Sequence, residues 1–424
     1  CMLIKGRGEV LMKAEILAVG TEILLGDIIN TNAQFISKEL ASLGIDVYRQ
    51  EVIGDNEDRL LEAIEEIFYR SDILICTGGL GPTEDDLTKE TICKYFNADL
   101  ELHEESLEEL KNYYKRLDRP MTESNLKQVY FPKESKVLSN PNGTAPGMIL
   151  EKNDKVAVIL PGPPREMKPM FLNYVKAYLK DKGNGVIISE VLRVLGVGES
   201  TAANMIKDFI NNGVSPTVAP YAKEDDVIFR ITARGKSEEE GRKLIAPVKE
   251  EIKRVFNLDC YGEGEELTIE EVLGKLLVDR KLTISTAESC TGGMIASRLI
   301  NYPGISEVFL EGAVTYSNEA KERTLNVKKK TLDTYGAVSE ETAKEMAIGI
   351  SKRTGSDISV VTTGIAGPGG GSEEKPVGLV YIGLYYKGNV KAFKYIFNGN
   401  RHNVRTKATV TALDLVRREI LKDN

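Results

Sequence analysis

The stretch DILICTGGLGPTEDD, residues 72–86, decides the fold. Its first half, DILICT, is a short unbroken apolar run, the pattern of a strand buried on both faces of a mainly parallel sheet. Its second half, GGLGPTEDD, collects glycines and acids where that strand ends. Glycines let backbone N–H groups approach a ligand closely, and the N-terminus of a following helix favours an anion. The pattern predicts that helix over 84–96, which puts Asp85 and Asp86 in its first turn. Most acids in that position merely complement the helix dipole.

Upstream, AEILAVG reads as a buried strand, NTNAQFISKELASLG as a helix ending at Gly44, IDVYRQEVIGD as a strand and NEDRLLEAIEEIFYRS as a helix. Downstream, a helix at 102–117, a strand pair around 136–160 and a helix near 164–180 complete an α/β domain over 12–180. DKGNG (181–185) reads as a linker. A unit over 186–258, with a strand, a helix at 199–211, the strand DVIFRITARG and a helix at 237–256, is too small for another full α/β layer and reads as α+β. CYGEGEE (260–266) reads as a second linker. From 267 to 424 the alternation resumes: a helix, the strand LTISTAE, a helix from 292, the strand VFLEGAVTYS, helices at 318–325 and 339–353, and the strand DISVVTTG. Two further strands and a helix at 400–421 close the chain. The predicted class is α/β, two three-layer domains with mainly parallel sheets around a small α+β unit. A length of 424 residues fits about three domains.

Composition narrows the chemistry. The chain has two histidines, His103 and His402, one in each large domain. A multi-histidine metal site is therefore excluded, and any serine or cysteine nucleophile has one histidine at most to work with. Lys+Arg number 56 against 64 Asp+Glu, a net charge of −8, so bulk charge attracts neither nucleic acid nor an anionic membrane. The five cysteines (1, 76, 93, 260, 290) show no metal-ligand spacing and no disulfide framework. No apolar run reaches the roughly 18 residues of a membrane span and no signal peptide is visible, which predicts a cytoplasmic protein. Cys1 precedes Met2, while Met12 opens the first clear strand, so residues 1–11 read as a start-site artefact.

Two segments share the character of GGLGPTEDD: GTEILLGDIINTN (20–32) after the first strand and LPGPPREM (160–167) after a late one. Loops that follow strands of one sheet gather on its C-terminal edge, where open α/β sheets bind ligands. Together with PNGTAPGM (141–148), these segments resemble the molybdopterin-binding-like domain of the competence/damage-inducible protein A (CinA) family. The resemblance implies a metal-dependent ADP-ribose pyrophosphatase giving AMP and ribose 5-phosphate, although the fold is shared with molybdenum-cofactor biosynthesis proteins and does not alone choose the ligand. A pyrophosphate bond needs charge neutralisation and an activated water, which carboxylates around a hard divalent cation supply. Glu22, Asp27, Asp85 and Asp86 are the candidate metal ligands, Gly78, Gly79 and Gly81 the phosphate cradle, and Asn142, Thr144 and Glu166 the orienting groups.

The middle unit resembles the KH-like module of the same family. Its residues argue against nucleic acid: LGVGES lacks a G-x-x-G clamp, and 186–258 carries eleven basic and eleven acidic residues. A spacer or dimer contact bordering the first site is expected, with Tyr221 and Lys223 in APYAKEDD the side chains best placed to reach a ligand, though a solvated turn is the plainer reading.

In the third unit, LTISTAESCTGG runs strand, polar turn, helix, a geometry that suits an exposed nucleophile beside helix N-terminal amides. Ser289, Cys290 and Thr291 are the candidates. His402 lies over a hundred residues downstream, and Lys321, in VTYSNEAK at a strand-to-helix junction, is the better base, since a desolvated lysine is neutral near pH 7. A lone helical lysine is otherwise a surface charge. TGIAGPGGGSEEKPVG (363–378) forms a second glycine-rich loop after a buried strand, with Lys375 facing an anionic or ring-bearing ligand. Arg401 and Arg405 in NGNRHNVR stand i, i+4 on one helix face, suited to a phosphate. The residues by themselves describe a phosphate-tagged substrate attacked by serine or cysteine.

TAESCTGG, VTYSNEAK, GAVSEE, TGIAGPGGGSEEKPVG and NRHNVR resemble the nicotinamide mononucleotide deamidase domain of that family. The resemblance implies a Ser/Lys amidohydrolase forming nicotinic acid mononucleotide and ammonia without a metal. Ser289 is then the nucleophile, Lys321 the base and Tyr316 its support. Amides of Cys290 to Gly293, with Thr363 and Gly364, form the oxyanion hole. Gly369, Gly370, Arg401 and Arg405 bind substrate, the arginines through its 5′-phosphate. A homodimer is also implied. The competing readings are a non-catalytic scaffold for DNA uptake or repair and a molybdopterin-binding first domain.

Overall fold

The computed structural model describes residues 12–183, 185–211 and 215–423. The residues read as a start-site artefact, and Asn184 of the first expected linker, lie outside them. The described chain forms two compact units, one of residues up to Ile188 with Thr232–Ile245, the other of Ser189–Ile231 with Ala246 onward. No helix among the described residues is long and apolar enough to cross a membrane.

In the first unit the strands are β1 (Lys13–Val19), β2 (Asp46–Ile53), β3 (Ile73–Thr77), β4 (Leu100–Leu102), β5 (Tyr130–Pro132), β6 (Lys136–Leu138), β7 (Gly147–Lys152) and β8 (Lys155–Leu160). Six of them form one sheet in the order β2-β1-β3-β8-β7-β6. β3 lies at its centre, parallel to β1 and β8. Ile73 and Ile75 pack on one helix layer and Leu74 and Cys76 on the other, so an unbroken apolar run is what this position requires.

The sheet becomes antiparallel at β7 and β6. The cause is local: only Asn153 and Asp154 connect β7 to β8, both with positive φ (54° and 59°), a two-residue turn that can join only antiparallel neighbours.

The small sheet, in the order β10-β11-β9-β12, comprises β9 (Val186–Val194), β10 (Thr217–Ala222), β11 (Val227–Gly235) and β12 (Cys260–Glu263). β12 corrects the second linker: Cys260 to Glu263 pair antiparallel with β9. Two-thirds of the way along the chain the second large sheet begins, with β13 (Ile284–Glu288), β14 (Phe309–Val314), β15 (Ile358–Gly364), β16 (Leu379–Tyr386) and β17 (Asn389–Ile396) in the order β14-β13-β15-β16-β17. Its first three strands are parallel and its last two antiparallel, again because a two-residue turn, Lys387–Gly388 with φ of 46° and 84°, links β16 to β17. Helices cover both faces: Val360 of β15 packs with helices Ile269–Arg280 and Arg401–Leu421, and Val361 with helix Glu340–Thr354. Both large domains are thus three-layered α/β, with sheets that are parallel in the middle and antiparallel at one edge.

The helix expected over 84–96 starts at Thr88. Asp86 folds back to accept from the amide and hydroxyl of Thr83, with 3.1 Å to the amide, so residues 83–86 make a turn rather than a first helical turn. Asp85 and Asp86 therefore sit in a loop. Helix Lys329–Tyr335 and strands β4, β5 and β10 were not read from the sequence, being short and weakly periodic.

Candidate functional site

The loops following β1, β3 and β8 converge as expected and enclose a cleft of about 540 Å³. Gly78 and Gly79 have φ of 97° and 64°. A Cβ on Gly78 would stand 2.1 Å from the Val19 carbonyl oxygen, and one on Gly79 2.1 Å from Thr88 Oγ1. Glycine is required there for the loop to cross the sheet edge.

Glu22, Gly78, Gly79, Gly81, Asp85, Asp86, Thr144 and Glu166 all line the cleft. Asp27 and Asn142 do not. Asp27 is exposed beyond the turn, its amide bonded to the Glu22 carbonyl at 3.0 Å, and Asn142 donates to the Arg165 carbonyl at 3.3 Å. The buried Glu166 accepts from Asn140 Nδ2 at 2.8 Å.

Residues not anticipated from the sequence shape this loop. Lys127 Nζ donates to the carbonyls of Thr83 (3.0 Å) and Asp86, and Gln128 Nε2 to that of Leu80 at 3.1 Å. The buried Lys89 donates to the Lys127 carbonyl at 2.7 Å, and burial lowers its pKa to about 8. These partners are backbone carbonyls, which leave no spacing signal in a sequence.

The proposed acids do not fit a divalent cation as they stand. Among the described residues no three His, Cys, Asp or Glu side chains are grouped to hold one. Asp27 lies outside the cleft and Asp86 is engaged by Thr83, so the expected ligand set is not assembled. His103 is no ligand either; its Nδ1 caps helix Glu104–Arg116, accepting from Ser106 N at 3.2 Å.

In the middle module, Lys223 N donates to the Asp226 carbonyl at 2.8 Å, closing the turn between β10 and β11. Its neighbours reach residues of the third domain. Asp225 pairs with Arg298, and Glu224 lies 3.5 Å from His402, both partners in the third domain. Tyr221 is exposed, with the Arg230 guanidinium 5.8 Å from its ring centroid.

The second candidate site forms where β13 ends. Lys321 Nζ lies 3.2 Å from Ser289 Oγ, and donates to the carbonyls of Thr315 (2.9 Å) and Tyr316 (3.2 Å). Lys321 is only 1% exposed, and burial lowers its pKa. Its helix, Asn318–Leu325, starts at an N-cap formed by Ser317, whose hydroxyl accepts from Ala320 N, which holds the lysine one turn above the strand end.

The three adjacent nucleophile candidates have different surroundings. Cys290 is buried and its thiol is pushed up to about 11 by desolvation. Thr291 is fully enclosed, its hydroxyl donating to Glu288 at 2.6 Å and pairing with Thr362 at 2.7 Å. Ser289 alone meets the lysine. Glu288 went unnoticed in the sequence, yet its buried carboxylate accepts from the amides of Gly293 (3.0 Å), Ile295 (3.1 Å) and Ala296 (2.9 Å). The Gly293 amide is therefore engaged, which removes it from the expected oxyanion hole.

The remaining predicted residues surround this pair in altered roles. Tyr316 supports Lys321 through its carbonyl; its phenol accepts from Arg401 Nη2 at 3.2 Å. Arg401 Nη1 also donates to the Gly367 carbonyl at 2.8 Å, tethering the glycine-rich loop that carries the exposed Gly369 and Gly370. Lys375 donates to the Tyr335 carbonyl at 2.7 Å and anchors that loop instead of facing a ligand. Thr363 Oγ1 donates to the Ala337 carbonyl at 2.6 Å, and Gly364 pairs with Val380 on β16, so both serve the frame around the site. Arg405 donates to the carbonyls of Cys290 and Thr291. A serine beside a buried amine, with a loop held in place from two sides, is equipped for acyl transfer.

Comparison with known proteins finds matches along most of the chain. Residues 15–181 match the family described as "Probable molybdopterin binding domain", 189–262 the "Damage-inducible protein CinA KH domain" and 266–420 the "CinA C-terminal domain". A competence-damage inducible protein of Clostridium perfringens (strain 13 / Type A) is 60% identical over 97% of this chain and 100% of its own length. One from Clostridium beijerinckii is 58% identical over 97% of this chain and 100% of its own. Among solved structures, the competence/damage inducible protein CihA of Agrobacterium tumefaciens is 41% identical, covering 37% of this chain and 98% of its own, with a TM-score of 0.35. The chain belongs to the competence/damage-inducible (CinA) family.

Proposed function

We propose that the third domain hydrolyses the carboxamide of nicotinamide mononucleotide, giving nicotinic acid mononucleotide and ammonia. The observation that carries this reading is the 3.2 Å approach of a desolvated lysine amine to Ser289 Oγ. Neutral Lys321 takes the hydroxyl proton as Oγ attacks the carboxamide carbon. The tetrahedral oxyanion is stabilised by backbone N–H groups of the loop after Ser289. The C–N bond then breaks, and ammonia leaves with the proton returned from Lys321. Water, deprotonated by the same amine, cleaves the acyl-serine ester and releases the acid. No metal enters any step.

Ammonia release from nicotinamide mononucleotide by the purified chain tests the reading. Lys321→Ala is expected to lower turnover by at least about 10²–10⁴-fold, the usual contribution of a general base, with the fold intact by circular dichroism. Near-normal turnover in that variant would sink the assignment.

The cleft of the first domain supports a second reading on a separate observation, its convergent glycine loops and volume of about 540 Å³. We propose that it takes a pyrophosphate-bearing nucleotide, ADP-ribose, and that AMP release measures its hydrolysis. AMP release abolished by a chelator would require Glu22, Asp85 and their neighbours to regroup around a cation on binding; its absence from ADP-ribose incubations would remove the reading.

A further inference from the structure

We propose that Arg405 positions the nucleophile loop and is not a ligand of the substrate's phosphate. The proposal takes its substrates from the deamidase reading, but its geometry stands without it. Arg405 Nε donates to the Cys290 carbonyl at 3.1 Å and Nη2 to the Thr291 carbonyl at 2.8 Å. The two bonds come from one edge of the planar fork, so the guanidinium grips two successive peptide units at once.

The grip has a directional consequence. In a trans peptide the C=O and the next N–H point opposite ways. Carbonyls of Cys290 and Thr291 turned toward Arg405 therefore turn the N–H groups of Thr291 and Gly292 away from it. Glu288 holds the other end of the same loop through the amides of Gly293, Ile295 and Ala296. The orientation of the Thr291 and Gly292 amides, which follow Cys290 in the loop and are not held by Glu288, is thus set by Arg405. Gly292 accommodates the contact: its φ is 61°, and a Cβ there would stand 3.4 Å from Arg405 Nη2.

The arginine is itself held in place. It lies in helix Arg401–Leu421, capped by Asn400 and seated by the buried Val404 and Ala408, while Thr409 donates to the Arg405 carbonyl at 2.8 Å. Arg401, four residues earlier, is exposed and sits nearer the glycine-rich loop, which leaves it as the residue for an anionic substituent.

The test compares wild type, Arg405→Gln and Arg405→Lys on nicotinamide mononucleotide and on nicotinamide riboside, which lacks the phosphate. Alongside, the rate of Ser289 phosphonylation by a fluorophosphonate probe is measured, with thermal unfolding as the control for folding. Arg405→Gln is expected to lower kcat about 10²-fold, as loss of an oxyanion donor does, alike for both substrates and with KM little changed. Probe labelling should slow by a similar factor, and Arg405→Lys, which can restore one of the two bonds, should fall between. A raised KM confined to the phosphorylated substrate, with labelling unchanged, would overturn the proposal. Should wild type release no ammonia from either substrate, the deamidase reading fails and the labelling rates still decide the role of Arg405. Should Arg405→Gln not fold, Arg405→Lys gives the same decision: slowed labelling supports the positioning role and unchanged labelling refutes it.

Discussion

Lys321 is enclosed on nearly every side, and enclosure penalises an ammonium more than an amine, so its pKa falls below the ordinary lysine value of 10.5. A base must be neutral to accept a proton, and the neutral fraction grows as pH rises through that lowered value. The acid limb of the proposed deamidation should therefore climb with pH and be centred below 10.5, as a pH profile of kcat/KM on nicotinamide mononucleotide will show. A limb centred at the ordinary lysine value would mean that another group is titrating. The same physics acts oppositely on Cys290, whose raised thiol stays protonated at neutral pH.

Helices Asn318–Leu325 and Glu340–Thr354 come close enough that a Cβ on Gly349 would stand 1.9 Å from the Leu325 carbonyl oxygen. In an exposed helix interior, replacing glycine with alanine stabilises by about 1 kcal/mol. Here Gly349→Ala should destabilise by about 1–3 kcal/mol, the cost of overpacking, measurable as a lower midpoint in urea unfolding. Because the displaced helix carries Lys321, ammonia release should drop too. Elements of this length were legible: the apolar runs of β3, β13 and β15 and the strand–turn–helix at Ser289 follow directly from periodicity. The meeting of Lys321 with the loop at 289–291 was legible as well, since each sits at a strand-to-helix junction of one sheet, while the choice of Ser289 came from the family resemblance. What could not be read depends on tertiary bonds to backbone groups. Arg405 reaches a loop 115 residues away, Lys127 holds carbonyls some 40 residues back, and Asp86 turns on Thr83 in place of opening a helix. The antiparallel edges hung on Asn153–Asp154 and Lys387–Gly388, two-residue turns without an obvious Asn-Gly signature.

At the scale of the whole chain, the cleft lies in one compact unit and the serine–lysine pair in the other. The two proposed activities should accordingly separate by mutation. Gly79→Val, which cannot be accommodated beside Thr88 Oγ1, is expected to abolish AMP release and leave ammonia release intact; Lys321→Ala should do the reverse, and chelation should spare ammonia release. Parallel assays of both products on both variants check this, and loss of both products in either single variant would show that the units act together. Glu288 carries a further consequence. Its carboxylate supplies, from inside the protein, the anion around which the loop after Ser289 winds. The catalytic turn is consequently shaped when the chain folds and not when a substrate arrives, so little reorganisation is left for the encounter itself.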